Sequence, residues 1–143
     1  MAAISVTAAN VARVSGEVAT GFLAGATITA GQYVYVDTNG AVQVATNATA
    51  TGSAYGASTY GVALNGGGSG QPIAILKPGG VVNIGGTVAV GKIYALGTAG
   101  GFIPVDDIAG SEYITVAGIG LTAANIQLCS SNTGGVAAAG AVS

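Results

Sequence analysis

A segment near the start of the chain recurs later in the sequence, and this internal repeat limits the folds that the chain can adopt. Residues 27–45 align without a gap on residues 87–105, and four of the nineteen pairs are identical. Two of the identical pairs are glycines, at positions where a tight turn needs a positive φ: Gly31/Gly91 and Gly40/Gly100. Most other pairs exchange one apolar residue for another. The repeat therefore preserves backbone geometry, and it describes architecture rather than chemistry.

Each copy of the repeat is typical of two successive β-hairpins. The turn at residues 37–40 ends in Asn-Gly, which is a strong hairpin signal. The downstream segments 60–76 and 117–128 also match, with a shorter loop in the second. Two copies are too few for an open repeat array, which needs at least about three units to bury a core. The sequence therefore predicts an all-β fold, a compact β-barrel or β-sandwich built from a duplicated hairpin unit near residues 27–76 and 87–128.

Strand patterns dominate the repeated part of the chain. Several pairs of apolar residues are separated by one polar or small residue, as in strands with one face in a core: Val42/Val44, Ile73/Ile75, Val82/Ile84, Ile114/Val116 and Ile126/Leu128. Residues 33–36 and 93–96 differ, because they are apolar on both faces. One face of each segment must meet the core. The other face needs cover from a second layer or from a partner subunit.

The two ends of the chain differ from its middle. We predict an N-terminal arm or first strands over residues 1–26, a β-barrel or β-sandwich core over residues 27–129, and a flexible tail over residues 130–143. The tail consists mostly of small residues and cannot bury enough surface to order itself alone. Residues 46–59, rich in Ala, Thr, Ser and Gly, predict a long surface loop.

Charged side chains are scarce, with eight in 143 residues, whereas half of the residues are hydrophobic. Ordinary soluble domains have roughly 25% charged residues. We therefore expect neighbouring molecules to cover part of the surface. A net charge of −2 with three basic residues gives no footprint for nucleic acid. No apolar run is long enough for a spanning helix, and the strands are shorter than the about ten residues of outer-membrane barrels, so no membrane partner is expected.

Catalysis and metal binding are not expected from this sequence. The chain contains no histidine, which removes Ser-His-Asp and Cys-His nucleophiles and the commonest metal ligand. Asp106 and Asp107 are the only adjacent carboxylates, and a solvated loop explains them best. A hard-cation site made by these two residues and Glu112 is the less favoured alternative. We predict no enzyme, no catalytic, cofactor-binding or metal-binding residues, and no cofactor.

Three other local patterns have simple explanations. The glycine-rich segment 66–70 is not followed by Lys-Ser/Thr, and Ser69 is not in a nucleophile elbow, so a flexible loop joining two strands is expected. Cys129 is the single cysteine, so it predicts a small buried apolar residue rather than a disulfide. No secretory signal is visible at the N-terminus, so the glycosylation pattern at residues 47–49 is attributed to chance.

The chain resembles the capsid decoration, or cement, proteins of tailed bacteriophages. The resemblance rests on glycine and apolar spacings between residues 27 and 128, in six segments: residues 28–37, 61–64, 71–75, 91–96, 101–105 and 116–121. It implies a compact, commonly trimeric β-barrel or β-sandwich on the outer surface of a phage head, made in the host cytoplasm. Such proteins fasten neighbouring major capsid subunits, and an N-terminal arm, here residues 2 to about 18, often reaches across the shell. The family has no catalytic residues.

Two alternatives stay open at this point. A β-rich oligomeric fibre, tail or adhesin module that binds a host surface would have a similar composition. Such a module should present aromatic residues at loop tips, and Tyr55 and Tyr60 are the only hints of this. A small β-barrel hydrolase would need a constellation of charged residues, for which Asp106 and Asp107 are the main candidates.

Overall fold

The computed structural model describes residues 4–46, 59–97, 100–104 and 116–128. Eleven strands and one short 3-10 helix, Ala8–Asn10, are found in these residues. The strands are β1 (Ala12–Ser15), β2 (Val18–Ala24), β3 (Tyr33–Val36), β4 (Ala41–Val44), β5 (Tyr60–Ala63), β6 (Pro72–Leu76), β7 (Val81–Asn83), β8 (Ile93–Leu96), β9 (Phe102–Pro104), β10 (Val116–Gly120) and β11 (Asn125–Leu128). The predicted all-β class is therefore confirmed.

The first copy of the repeat forms a closed five-stranded barrel together with β2, the strand that precedes it. Its strand order is β2-β4-β3-β5-β6, and the last pairing, between β6 and β2, closes the barrel. Alternate residues of the barrel strands point inward and, together with Ile28 from the segment between β2 and β3, form a buried cluster: Ala24, Ile28, Val34, Val36, Val42, Ala63, Ile73 and Ile75. The interior is thus filled by small and branched apolar side chains, as in other small barrels.

The second copy, together with β7 before it, repeats this topology but does not close into a barrel. The second sheet has the order β1-β7-β11-β10-β8-β9, and its last five strands follow the same sequence of pairings as the barrel strands. Backbone hydrogen bonds repeat as well. The N–H of Gly31 donates to the carbonyl of Ala63 at 2.8 Å, and the N–H of Gly91 donates to the carbonyl of Gly120 at 2.8 Å. The duplication seen in the sequence is therefore a duplication of strand order and of hydrogen bonding.

The barrel packs against one face of the second sheet. Tyr33, Val62 and Leu76 project from barrel strands β3, β5 and β6 and belong to the same buried cluster as Tyr94 and Phe102 of the second sheet. The second face of residues 33–36 is therefore covered by a second layer of the same chain. In the part of the chain that the structure describes, β1 and β9 are the two edge strands of this sheet: β1 pairs with β7, and β9 pairs with β8.

The N-terminal residues pack against the body of the protein. The N–H of Ile4 donates to the carbonyl of Phe102 at 2.9 Å, and the N–H of Thr7 donates to the carbonyl of Gly85 at 2.8 Å. Ile4 and Val6 contact the buried cluster that joins the two copies, because both side chains are apolar. In the region of the predicted arm or first strands, the structure has β1 and β2, and before them a packed segment that contains the 3-10 helix.

Several predicted features lie outside the described residues. They are residues 47–58 of the predicted surface loop, Ile114, Cys129 and the predicted tail over residues 130–143.

Candidate binding surface

The polar candidates from the sequence divide into two groups. The first group lies outside the described residues: Asp106, Asp107, Glu112, the glycosylation pattern at residues 47–49, and Tyr55. In the second group, which the structure describes, are the glycine-rich segment 66–70 with Ser69, and Tyr60. Among the described residues, no group of three His, Cys, Asp or Glu side chains lies close enough to hold a metal ion.

The glycine-rich segment is held by hydrogen bonds to distant parts of the barrel. The N–H of Gly67 donates to the carbonyl of Ile28 at 2.9 Å, and the Ile28 N–H donates back to Gly67 at 2.8 Å. The N–H of Gly70 donates to the carbonyl of Ala24 at 2.7 Å, and the N–H of Gly68 donates to Oε1 of Gln71 at 2.8 Å. The expected loop does join β5 and β6, but it is pinned rather than flexible. These amides already have protein acceptors, so they do not form a phosphate cradle.

Three of the charged residues that the structure describes, Glu17, Asp37 and Lys77, make structural contacts. Asp37 closes the β3–β4 turn: its Oδ1 accepts the N–H groups of Asn39 and Ala41, both at 2.9 Å, and its Oδ2 accepts the Gln43 side-chain amide at 3.0 Å. The Ala41 N–H, followed by the Gln43 amide, holds the pKa of Asp37 below its usual value, because these donors stabilise the carboxylate. Asp37 therefore stabilises a turn.

One ion pair joins Glu17 to Lys77, with 3.3 Å between Oε1 and Nζ. Both side chains are substantially exposed, at 77% and 43% respectively, so the pair contributes little to stability. The Lys77 backbone N–H also donates to the carbonyl of Glu17 at 2.9 Å. This pair joins the segments that flank β2 and β6, and it is a structural contact.

Tyr60 packs between the two copies of the repeat. Its ring lies 6.4 Å from that of Tyr33, centroid to centroid, and it contacts the buried cluster shared by the barrel and the second sheet. Burial raises the pKa of the Tyr60 hydroxyl above its usual value. Packing therefore accounts for Tyr60. It is not an aromatic residue at a loop tip, as the adhesin alternative would require.

The outer face of the second sheet carries an exposed apolar patch. Ile93 and Ile119 are direct partners across β8 and β10, and they are 45% and 39% exposed. Val90 and Leu121 flank this pair and are 68% and 46% exposed. The hydrogen bond from the N–H of Gly91 to the carbonyl of Gly120 brings their two segments together. We call these four residues, Val90, Ile93, Ile119 and Leu121, the apolar patch.

Part of the apolar patch could be predicted from the sequence. Residues 93–96 are apolar on both faces, which predicts that one face needs cover, and Ile93 lies on that face. Ile119 gave no such signal, because its pairing with Ile93 joins residues far apart in the chain. Contiguous exposed apolar residues mark interaction surfaces more often than single ones do. The apolar patch is therefore the candidate binding surface.

No protein-family model matches the chain, and a search of curated proteins found no relative. The described residues also contain no helix of sufficient length and apolarity to cross a membrane.

Proposed function

We propose that the protein is a structural virion protein of the capsid decoration, or cement, class. In this role it binds the outer surface of a phage head and stabilises contacts between major capsid subunits. The resemblance in the glycine and apolar spacings supports this proposal. So does the compact all-β fold, which is the kind of fold that the resemblance implies.

The scarcity of charge on a compact β-fold is the observation that carries the proposal. Eight charged residues in 143 leave most of the surface to small, polar-uncharged and apolar side chains. Of the charged residues that the structure describes, Asp37 serves a turn and Glu17 pairs with Lys77. A surface of this kind suits a protein whose faces are covered by sister molecules and by a shell.

The proposed mechanism is mechanical. Packaged DNA strains the contacts between capsid subunits, and a clamp that bridges two of them adds association free energy at the weakest seams. Each copy contributes little, but many copies act together on one closed lattice. The protein works as a homo-oligomer, proposed to be a trimer, with the major capsid protein as its partner. It requires no catalytic residue, cofactor, nucleic acid or membrane.

Few ion pairs are available for screening by salt at such an interface. We therefore expect binding to heads to change little between roughly 0.1 M and roughly 1 M salt. Co-sedimentation of the purified protein with empty heads, at both salt concentrations, measures this directly. A loss of binding at the higher concentration would show that charge pairs dominate the contact.

A comparison of virions with and without the protein tests the function itself. Particles that lack it should release DNA at a lower temperature and on milder chelation. The copy number per particle, from mass analysis of purified particles, separates the two structural roles. A high copy number on the head supports a cement protein, whereas a few copies indicate a fibre, tail or adhesin module. Equal heat resistance with and without the protein would contradict the cement role.

A further inference from the structure

The two copies of the repeat carry equivalent rows of side chains on their outer faces. In the barrel, the row of direct cross-strand partners runs Val18–Leu76–Val62–Tyr33 through β2, β6, β5 and β3. In the second sheet it runs Val81–Gln127–Ile119–Ile93 through β7, β11, β10 and β8. The register of all three pairings is conserved between the copies. Each residue of the second row therefore occupies the position of its counterpart in the first.

The two rows differ in what covers them. Tyr33, Val62 and Leu76 are fully buried, because the barrel row packs on the side chains of the second sheet. Their counterparts Ile93, Ile119 and Gln127 are exposed. The same side-chain positions are thus covered by a packed β-sheet in one copy and exposed in the other.

The chemistry of the open row restricts the partner that could cover it. The row contains three apolar residues and Gln127, without a charge, and Val90 and Leu121 extend it. A typical soluble domain has roughly 25% charged residues, most of them on its surface, and burying these against this row would leave charges unpaired at a large cost. This chain has only eight charged residues in 143, so its own surface is the matching partner. The precedent is within the molecule, where the equivalent row is already covered by a β-sheet of the same chain.

We propose that the open row Val81–Gln127–Ile119–Ile93, with Val90 and Leu121, is a contact surface for a second copy of this chain. This proposal builds on the proposed function, in which the protein acts as an oligomer, and it identifies the face through which the copies meet. Binding of the capsid shell would then use other surfaces.

The test is the self-association of the full chain, measured by sedimentation velocity over a range of concentrations. The double variant Ile93→Thr/Ile119→Thr removes apolar surface but keeps β-branched residues that suit strands. It should weaken self-association by at least about tenfold. The matched control is Leu23→Thr, because Leu23 is a 52% exposed apolar residue on barrel strand β2, outside the row. This control should associate like the unmodified chain.

A second variant guards against loss of folding in the first. Gln127→Lys places a charge in the middle of the row at an exposed position, so the strand pairing should remain intact. It should also weaken association by at least about tenfold. Thr20→Lys adds the same charge at an exposed position of β2 and should have no effect. Far-UV circular dichroism and thermal unfolding check that each variant is folded.

Two results would overturn the proposal. One is an unmodified chain that stays monomeric at all concentrations. The other is a folded Gln127→Lys variant whose association constant is unchanged. Co-sedimentation with empty heads separates this failure from that of the proposed function. If the heads bind the unmodified chain but substitutions in the row leave self-association unchanged, the contact surface is wrong and the cement function stands. If the chain associates through the row but binds no heads, the cement function is wrong and the contact surface stands.

Discussion

The rings of Tyr33 and Phe102 meet edge to face, with 6.2 Å between their centroids and an interplanar angle of 76°. Tyr33 belongs to the barrel and Phe102 to the second sheet, so this contact joins the two copies of the repeat. Both side chains are buried. Aromatic pairs of this geometry contribute about 0.5–1.5 kcal/mol beyond the burial of their area. The contact therefore strengthens the packing of the barrel on the second sheet.

Replacing Phe102 with alanine should lower the free energy of unfolding by about 3–5 kcal/mol, because it leaves a cavity between the barrel and the second sheet. Urea unfolding followed by circular dichroism measures the change. Ile103→Ala is the matched control, since Ile103 lies next to Phe102 on β9 and is only partly buried. The free energy of unfolding should fall clearly less in Ile103→Ala than in Phe102→Ala. Equal losses for the two variants would show that the Phe102 contact does not hold the copies together.

Substitution of Gly61 should be far more damaging than substitution of Gly40. A Cβ atom added at Gly61 would overlap the backbone carbonyl oxygen of Leu76 on the neighbouring strand β6. Backbone atoms of a paired strand cannot move aside cheaply, so Gly61→Ala should cost about 3 kcal/mol or prevent folding. At Gly40, with φ of 80°, nothing lies within 4 Å of an added Cβ. Gly40→Ala therefore bears only the left-handed strain of about 1–2 kcal/mol.

Thermal unfolding of the two glycine variants, each purified in parallel with the unmodified chain, gives this comparison. A Gly61→Ala protein as stable as the Gly40→Ala protein would contradict the close pairing of β5 with β6.

Acidification should reveal the role of Asp37 in its turn. The pKa of this carboxyl is lower in the folded protein, so its contribution to stability is complete above the unfolded pKa of about 3.9 and is lost as pH falls through the folded value. Asp37→Asn cannot titrate. When pH falls from about 5 to about 2, the unfolding temperature of the variant should therefore decrease less than that of the unmodified chain. Identical pH profiles would exclude the assigned role.

Glu17→Gln is the control for the Asp37 experiment. Glu17 is also a carboxylate on the surface, but its partner Lys77 forms only an exposed ion pair with it. This variant keeps the Asp37 turn intact, so it should retain the loss of stability on acidification that is assigned to Asp37. The carboxylates outside the described residues are the same in all three proteins, so they cancel in the comparison.

The sequence determined the local elements of this protein. The Asn-Gly turn and the β3–β4 hairpin follow from residues that are neighbours in the chain, and so does the repeat of this hairpin in β8 and β9. Alternation of apolar and other residues indicated the strands. The apolar character of residues 33–36 on both faces indicated a second covering layer, which the second sheet supplies. These features depend on turn geometry and on a two-residue period, and both are readable from short segments.

Tertiary structure alone decided which copy closes and which surface stays open. Tyr33 and Ile93 hold equivalent positions in two similar sequences, yet one is buried and the other exposed. The glycine-rich loop is pinned by Ile28 and Ala24, about forty residues away, which no local pattern indicates. The parallel pairing of β2 with β4 also joins separate segments. Each of these outcomes depends on long-range packing, where the fit of side chains from distant parts of the chain determines the free energy.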